Sequence, residues 1–502
     1  MEPKTWSEIL WGKHAKLFYL MFAATVMLLT LLGSREIWTQ EHRWADIVYG
    51  MFYRHDFLHP YLNNVDYYDK PLLSYWLIAG FSFLTGQFSI WAMRLPSALA
   101  GLLAVWSIYK LGTKLQDQRL GLLSGWILIT TFYFIFWAKT SSADMLNLGG
   151  TVFAVYWYYE TKDRPSFFNY AVFFMVLALT SLCKGLVGAI VPLIVIFPDL
   201  LQRQQWKNHL RWSFLFAMLP ALIVYVLPFW ASSHVASDGY GESGLMLVYR
   251  ENVLRYFQPF DHKGPIYTYF IYLPIYLLPW AFFLVPTLWS LKSRWKNMSP
   301  GNRAMSWAVL LLFIFFTLSG SRRNYYVLPM VPFAILMIAE WFLTGLTQRS
   351  VWAGRLAVSF FLLLFLSFDV VQPLYYSQGG LTHFANTLES QASKIKPWST
   401  WHFVMLDPES KIRFYLHLPP TVKDYPMSLD SHTLPRTVDL SAAMTVLTGK
   451  EPGVIFITRK SYEAALKNIL PEYRVVEAHQ NFGERLLKRQ NENAAVAFIP
   501  PA

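Results

Sequence analysis

The chain has 502 residues, 54% of them hydrophobic, 18% aromatic and only 15% charged, where a soluble domain carries about a quarter. That balance excludes a wholly soluble protein and points to a membrane chain with a soluble part attached. The formal net charge of +12 is no sign of a nucleic-acid partner, because Lys and Arg collect in short connections between apolar stretches, the positive-inside pattern. The single cysteine, Cys183, sits in an apolar run, so no intrachain disulfide forms and it reads as a core residue.

Leu17–Gly33 is the first apolar stretch near the roughly 20 residues a helix needs to cross a bilayer. No small-residue cleavage motif follows it, so it is expected to stay as a signal anchor. Lys4, Lys13 and Lys16 precede it, which puts the N-terminus in the cytoplasm and the loop 34–71 outside. Basic connections recur at Lys110/Lys114/Arg119, Lys162/Arg164, Arg203/Lys207/Arg211, Lys292/Arg294/Lys296 and Arg349/Arg355. If these face the cytoplasm, spans fall near 92–109, 120–137, 145–160, 167–183, 185–201, 213–231, 266–290, 303–319, 327–345 and 352–371. The alternation closes only if Leu72–Leu84 is interfacial or re-entrant, which gives about eleven spans, or about thirteen if it crosses and another stretch is split. The tail then lies outside. From 373 to 502 the composition turns polar, with β-like runs at Trp401–Leu406, Val454–Thr458 and Tyr473–Glu477 around a helix-like Ser461–Ile469. The expected architecture is therefore an all-α polytopic membrane module, 1–372, followed by a small soluble α/β domain, 373–502. That domain has no metal motif, Gly-rich phosphate loop or nucleophile elbow.

Acids and bases beside lipid are costly, so each is a functional-site hypothesis. Lys70, between Asp69 and Pro71, could hold a phosphate at headgroup depth; the plain alternative is a snorkelling Lys at a helix start. Glu41, between Gln40 and His42-Arg43, could deprotonate an acceptor or simply pair with Arg43 at the surface. Asp144, beside Ser141 and Ser142, could orient reactants or serve as a helix N-cap. Lys184 is apolar on both sides, in Leu182-Cys183-Lys184-Gly185-Leu186, and a snorkelling role is the alternative. A single His262 lacks metal-ligand spacing. Arg322, Arg323, Tyr325 and Tyr326 could clamp a lipid phosphate or anchor a helix in the interface, and Arg94 reads as another interfacial anchor.

Seven stretches occur in the order of one family: Glu41-His42-Arg43-Trp44-Ala45; Tyr68-Asp69-Lys70-Pro71-Leu72-Leu73-Ser74-Tyr75-Trp76; Arg94-Leu95-Pro96-Ser97-Ala98; Ala138-Lys139 with Asp144-Met145; Lys184-Gly185; His262-Lys263-Gly264-Pro265; and Tyr326-Val327-Leu328-Pro329. Together they resemble the GT-C glycosyltransferases that use polyprenol-linked sugars, in particular the bacterial aminoarabinose (lipid A) transferases and the protein O-mannosyltransferases. The resemblance implies transfer of a sugar from undecaprenyl phosphate at the periplasmic face of the inner membrane, with no nucleotide at that step. The implied acceptor is lipid A or a related glycolipid, with protein Ser/Thr as the alternative. On the same resemblance, Lys70 and Lys184 hold the lipid phosphate with Arg43, Tyr326 and Arg323 assisting. Asp69 and His262 match positions able to bind a divalent ion, and Asp144 orients the reacting groups. The family's first loop commonly reads Asp-Glu where this chain has Gln40-Glu41, which leaves Glu41 as the expected base. A transporter of lipid-linked sugars is the non-enzyme alternative, but such proteins tend to show repeats and midplane polar residues; here no repeat is found and the polar residues gather at one face.

Overall fold

The computed structural model describes residues 6–12, 15–38, 40–62, 65–67, 69–203, 205–209, 211–235, 249–258, 262–344, 347–377, 380–422, 424–425, 453–478 and 492–501. Lys4, Lys13, Tyr68 and part of the Ser232–Pro265 connection (236–248 and 259–261) lie outside the described residues.

Polar side chains start the helices where the sequence supplies them. Ser89, Asp117, Ser166 and Ser299 each accept a hydrogen bond from a backbone N–H of the first turn that follows, satisfying donors that a helix start leaves open. Six helices are long and apolar enough to cross a bilayer: Ile90–Leu115, Phe167–Lys184, Trp212–His234, Pro300–Leu318, Asn324–Leu343 and a run beginning at Thr347. Two pairs bent by 71° and 112°, Gln118–Ile129 with Phe132–Ala138 and Thr268–Tyr276 with Trp280–Trp289, raise the number to eight among the described residues. The chain is thus a multi-pass membrane protein.

The predicted span count of eleven to thirteen is not reached by length and hydropathy. Leu17–Leu29 and Val187–Gln202 are helical but short, and Ala143–Thr161 carries Asp144 and Glu160 at its two ends. Leu73–Thr85 has 13 residues; at about 1.5 Å per residue it reaches roughly 20 Å, short of the ~30 Å hydrocarbon core. That agrees with its interfacial or re-entrant reading.

The compact units also fall differently from a cut at 372/373. Gly33–Asp56 and Pro60–Asp66 cluster with Phe368–Ala502, while Met1–Leu32, Phe57–His59 and Tyr67–Ser367 form the helical unit. The cause lies in the helix Glu41–Arg54, which buries Trp44, Ala45, Ile47, Val48 and Met51. Its surroundings are tied to distant sequence: the Ile37 N–H donates to the Tyr415 hydroxyl at 2.9 Å, and the Tyr49 hydroxyl donates to the His417 carbonyl at 3.1 Å.

The second unit contains the predicted α/β domain. β1 (His402–Leu406), β2 (Asp424–Tyr425), β3 (Val454–Arg459), β4 (Arg474–Glu477) and β5 (Ala495–Ile499) form a mixed sheet in the order β2-β1-β3-β5-β4. β1 runs parallel to β2 and β3, and β5 antiparallel to β3 and β4. One face buries Val404, Leu406, Phe456, Val496 and Phe498 against Tyr462, Leu466 and Leu470 of the crossover segment. The three predicted strands and the helix, Glu463–Ile469, are present. The fully buried run Ala495–Ile499 adds a strand the alternation rule missed, because a strand covered on both faces does not alternate.

Candidate active site

In the helical unit the ends of several segments bring ionisable side chains together around Tyr326. Helix Ala143–Thr161 begins at Ser142, whose hydroxyl accepts from the Asp144 N–H at 3.0 Å and donates to the Asp144 carboxylate at 2.8 Å. Lys184, the last residue of helix Phe167–Lys184, reaches that same carboxylate, and both side chains are buried. A cation at a helix C-terminus is favoured by the aligned peptide dipoles. The chain can turn away there because Gly185 adopts φ +103, a left-handed conformation open to glycine. Beyond it, the Asn252 side-chain oxygen accepts from the Leu186 N–H at 2.7 Å, fastening the segment Tyr249–Leu254 to the helix hairpin. The Lys184 ammonium also lies 5.2 Å from the centre of the Tyr326 ring, within cation–π range.

The second half of the site is Asp69-Lys70. The Lys70 ammonium pairs with the Asp69 carboxylate at 3.0 Å, and the Tyr67 hydroxyl donates to it at 3.1 Å. The Arg255 guanidinium approaches Asp69 at 3.2 Å and pairs with Glu251 one helical turn earlier. Burial raises the Asp69 carboxyl, but Lys70 and Arg255 outweigh it and hold the group well below the usual carboxylate range. Burial, opposed by Arg255 and reinforced by the neighbouring Asp69 charge, pushes Glu251 up to about 7. Two adjacent carboxylates cannot both ionise freely, so below that pH the pair shares one proton. Tyr326 joins the two halves: its hydroxyl lies within electrostatic reach of Arg255, Asp144, Arg323 and Asp69.

Arg323 bonds the His262 ring at 2.5 Å and stacks 5.7 Å over Tyr325. Arg322 has a different job. Its guanidinium donates to the Thr317 carbonyl at 3.1 and 2.9 Å and to the Gly264 carbonyl at 2.5 Å, closing the turn rather than facing a ligand. Arg94, expected as an interfacial anchor, is instead 1% exposed and donates to the Leu32 carbonyl at 2.9 Å.

Of the residues predicted from sequence, the helical unit thus assembles Asp69, Lys70, Asp144, Lys184, Arg323 and Tyr326, with His262 attached through Arg323. Glu41 and Arg43 belong to the second unit. Glu41 is fully buried; its carboxylate accepts from the Trp38 N–H at 2.6 Å and pairs with Arg35 at 3.5 Å, which supports the start of its helix. Sequence reading passed over Glu251 and Arg255, whose signal was an acid and a base four residues apart in a mixed loop. Among the described residues no three His, Cys, Asp or Glu come close enough to cage a metal ion, so Asp69 and His262 do not make a closed centre. Ions such as Mg²⁺ are held by one or two carboxylates plus substrate phosphate, and the two neighbouring carboxylates here, Asp69 and Glu251, are paired with Lys70 and Arg255.

Residues 69–231 match the family model described as dolichyl-phosphate-mannose-protein mannosyltransferase. An undecaprenyl phosphate-alpha-4-amino-4-deoxy-L-arabinose arabinosyl transferase of Shewanella sediminis is 29% identical over 64% of this chain and 58% of its own. A protein of the same name from Pseudomonas paraeruginosa is 25% identical over 63% and 58%. The chain thus matches 58% of the length of these curated relatives. The crystal structure of ArnT from Cupriavidus metallidurans bound to undecaprenyl phosphate superposes with a TM-score of 0.71, covering 97% of this chain and 98% of that one at 16% identity. This chain has the ArnT fold. The expected fold is therefore matched over 97% of the chain.

Proposed function

We propose that the protein is an integral membrane glycosyltransferase that moves a sugar from an undecaprenyl-phosphate donor to an envelope acceptor at the periplasmic face of the bacterial inner membrane. The observation that carries this reading is the convergence of Lys70, Arg255, Lys184 and Tyr326 at one end of an apolar helical bundle. The names of the relatives and the ligand in the superposed structure support it. A lipid phosphate needs cations at headgroup depth, and its prenyl chain needs an apolar path between helices.

The reaction breaks the bond between the sugar's anomeric carbon and the phosphate oxygen, and forms one to an acceptor oxygen or nitrogen. The leaving lipid phosphate gains negative charge, which Lys70 and Arg255 stabilise in a partly desolvated site. Tyr326 adds a hydroxyl donor. Asp144, held by Ser142 and Lys184, positions Lys184 and orients the reacting groups. A divalent ion would be held by Asp69 and Glu251 and would supply further positive charge at the phosphate. The acceptor's proton goes to a base; Glu41, the base expected from sequence, is fully buried in the second unit, where the Trp38 N–H and Arg35 hold its carboxylate. Lipid A or a related glycolipid is the acceptor that the sequence resemblance implies. The mannosyltransferase match over residues 69–231 favours protein Ser/Thr as the second reading. Mass spectrometry of the glycosylated envelope fraction separates the two.

The expectation that Glu41 is the base is tested by Glu41→Gln. A base predicts a loss of kcat of about 10²–10⁴-fold with donor KM unchanged. A thermal-unfolding shift with kcat intact would leave Glu41 only its helix-start role.

The shared proton gives a pH dependence. Below pH 7 the cluster of Lys70, Arg255, Asp69 and protonated Glu251 carries net positive charge, and above it Glu251 ionises and cancels that charge. Donor phosphate affinity is therefore expected to fall as pH rises through about 7. The proton on Glu251 likewise adds stability that is fully present below pH 4.5 and is lost as pH rises from there through about 7. A titration of donor Kd against pH should show this step in the wild type and lose it in Glu251→Gln.

A further inference from the structure

Helices Phe167–Lys184 and Val187–Arg203 meet at the active-site end, so their other ends lie at the far end of the bundle. There, with the last turn of Ala143–Thr161 and the start of Trp212–Val235, they enclose a cavity of about 240 Å³. Its wall is apolar and includes Tyr170, Phe173, Leu193, Ile196, Leu200 and Phe214. At about 30 Å³ per water-sized group, that volume takes roughly eight methylenes. It is smaller than a typical drug-sized pocket.

The charges around the cavity divide into neutralised and available ones. Lys162 lines the wall, but its ammonium pairs with Asp199 at 2.7 Å, with both side chains 3% exposed or less. The Tyr158 hydroxyl donates to the same carboxylate at 3.0 Å. The rim is different. Trp206 and His209 line it from the turn Gln205–His209, which also carries the exposed Lys207. The Tyr170 hydroxyl and His209 Nδ1 lie 2.9 Å apart. Arg211 acts electrostatically on both Tyr170 and His209, and Asp163 is the acid that faces His209. Outside the rim, Phe168, Phe197, Leu201 and Trp212 are exposed apolar side chains, as expected of a surface bathed in lipid.

We propose that this cavity binds a segment of one acyl chain of an anionic phospholipid, with the headgroup phosphate on Lys207 and Arg211. An apolar slot that opens at a cationic rim, on the side of the bundle where the basic connections gather, matches an anionic lipid better than a zwitterionic one. Trp206 suits the boundary between chain and headgroup. The site is separate from the Lys70–Tyr326 cluster, and the proposal stands on the membrane architecture rather than on the transferase reading.

The test is native mass spectrometry of the full chain released from nanodiscs of equal phosphatidylglycerol and phosphatidylcholine. The wild type is expected to retain one phosphatidylglycerol, favoured about tenfold over phosphatidylcholine. Leu193→Trp and Thr161→Trp fill the cavity and should lose that lipid. The double variant Lys207→Ala/Arg211→Ala keeps the slot open and should lose only the headgroup preference. It carries the test if the filled variants do not fold. Equal retention of the two lipids by the wild type, no retained lipid, or an unchanged preference in the rim variant would overturn the proposal.

Discussion

The double variant Lys70→Ala/Arg255→Ala is expected to lower kcat/KM for a polyprenyl-phosphate sugar by about a thousandfold. Each cation is placed to give a charge-assisted hydrogen bond to the phosphate, worth about 2 kcal/mol, and about 1.4 kcal/mol corresponds to a factor of ten in rate. Part of the loss should fall on KM, because the donor phosphate is already charged in the ground state. The rest should fall on kcat, because the charge grows as the bond to the sugar breaks. The single variants will not add up to the double. Both cations also hold Asp69 ionised, so removing one changes the environment of the other. Lys70→Arg is not a neutral control either, since a planar fork replaces a point charge. The measurement is a reconstituted assay with donor varied, run beside thermal unfolding to confirm that each variant is folded.

The second large effect is on stability. Asp199→Ala is expected to destabilise the helical unit by about 3–5 kcal/mol, because it removes the carboxylate that pairs with a buried ammonium. Lys162 is 7% exposed as a residue and Asp199 1%; the ammonium also lies 4.1 Å over the Tyr159 ring, which does not replace a carboxylate. Replacing both partners with apolar residues of similar size, Lys162→Met/Asp199→Leu, should recover most of the loss, since an apolar pair incurs no charge-desolvation penalty. Denaturant unfolding of the purified protein in one detergent would rank the three. A single variant as stable as the wild type would contradict the buried pair.

What was legible in the sequence follows the cost of burying charge. Asp144 and Lys184 stood out because apolar stretches flank them and Lys70 because it opens one, and the structure brings all three to one place. Tyr326 stood out in the cationic turn with Arg322 and Arg323, and again through the family pattern. Glu251 and Arg255 did not stand out, since ionisable residues in a polar connection cost nothing until the chain folds over them. Asp199 fell inside the predicted span 185–201 without being singled out, and its partner Lys162 was read as part of a basic connection; only their juxtaposition reveals the pair. Arg94 was misread for the same reason, as its carbonyl partner at Leu32 is distant in sequence. The first loop was placed with the membrane module, whereas its helix packs with the C-terminal unit. Local patterning marks Glu41–Arg54 as amphipathic but does not say which apolar surface covers it.

The most direct test of the central claim places the purified chain in proteoliposomes with an undecaprenyl-phosphate sugar labelled in the sugar, together with lipid A. The account predicts that label appears in a glycosidic bond to the acceptor while undecaprenyl phosphate is released, and that folded Lys70→Ala/Arg255→Ala loses this transfer. Movement of the intact labelled lipid across the bilayer without bond formation, or full transfer by the folded double variant, would contradict it.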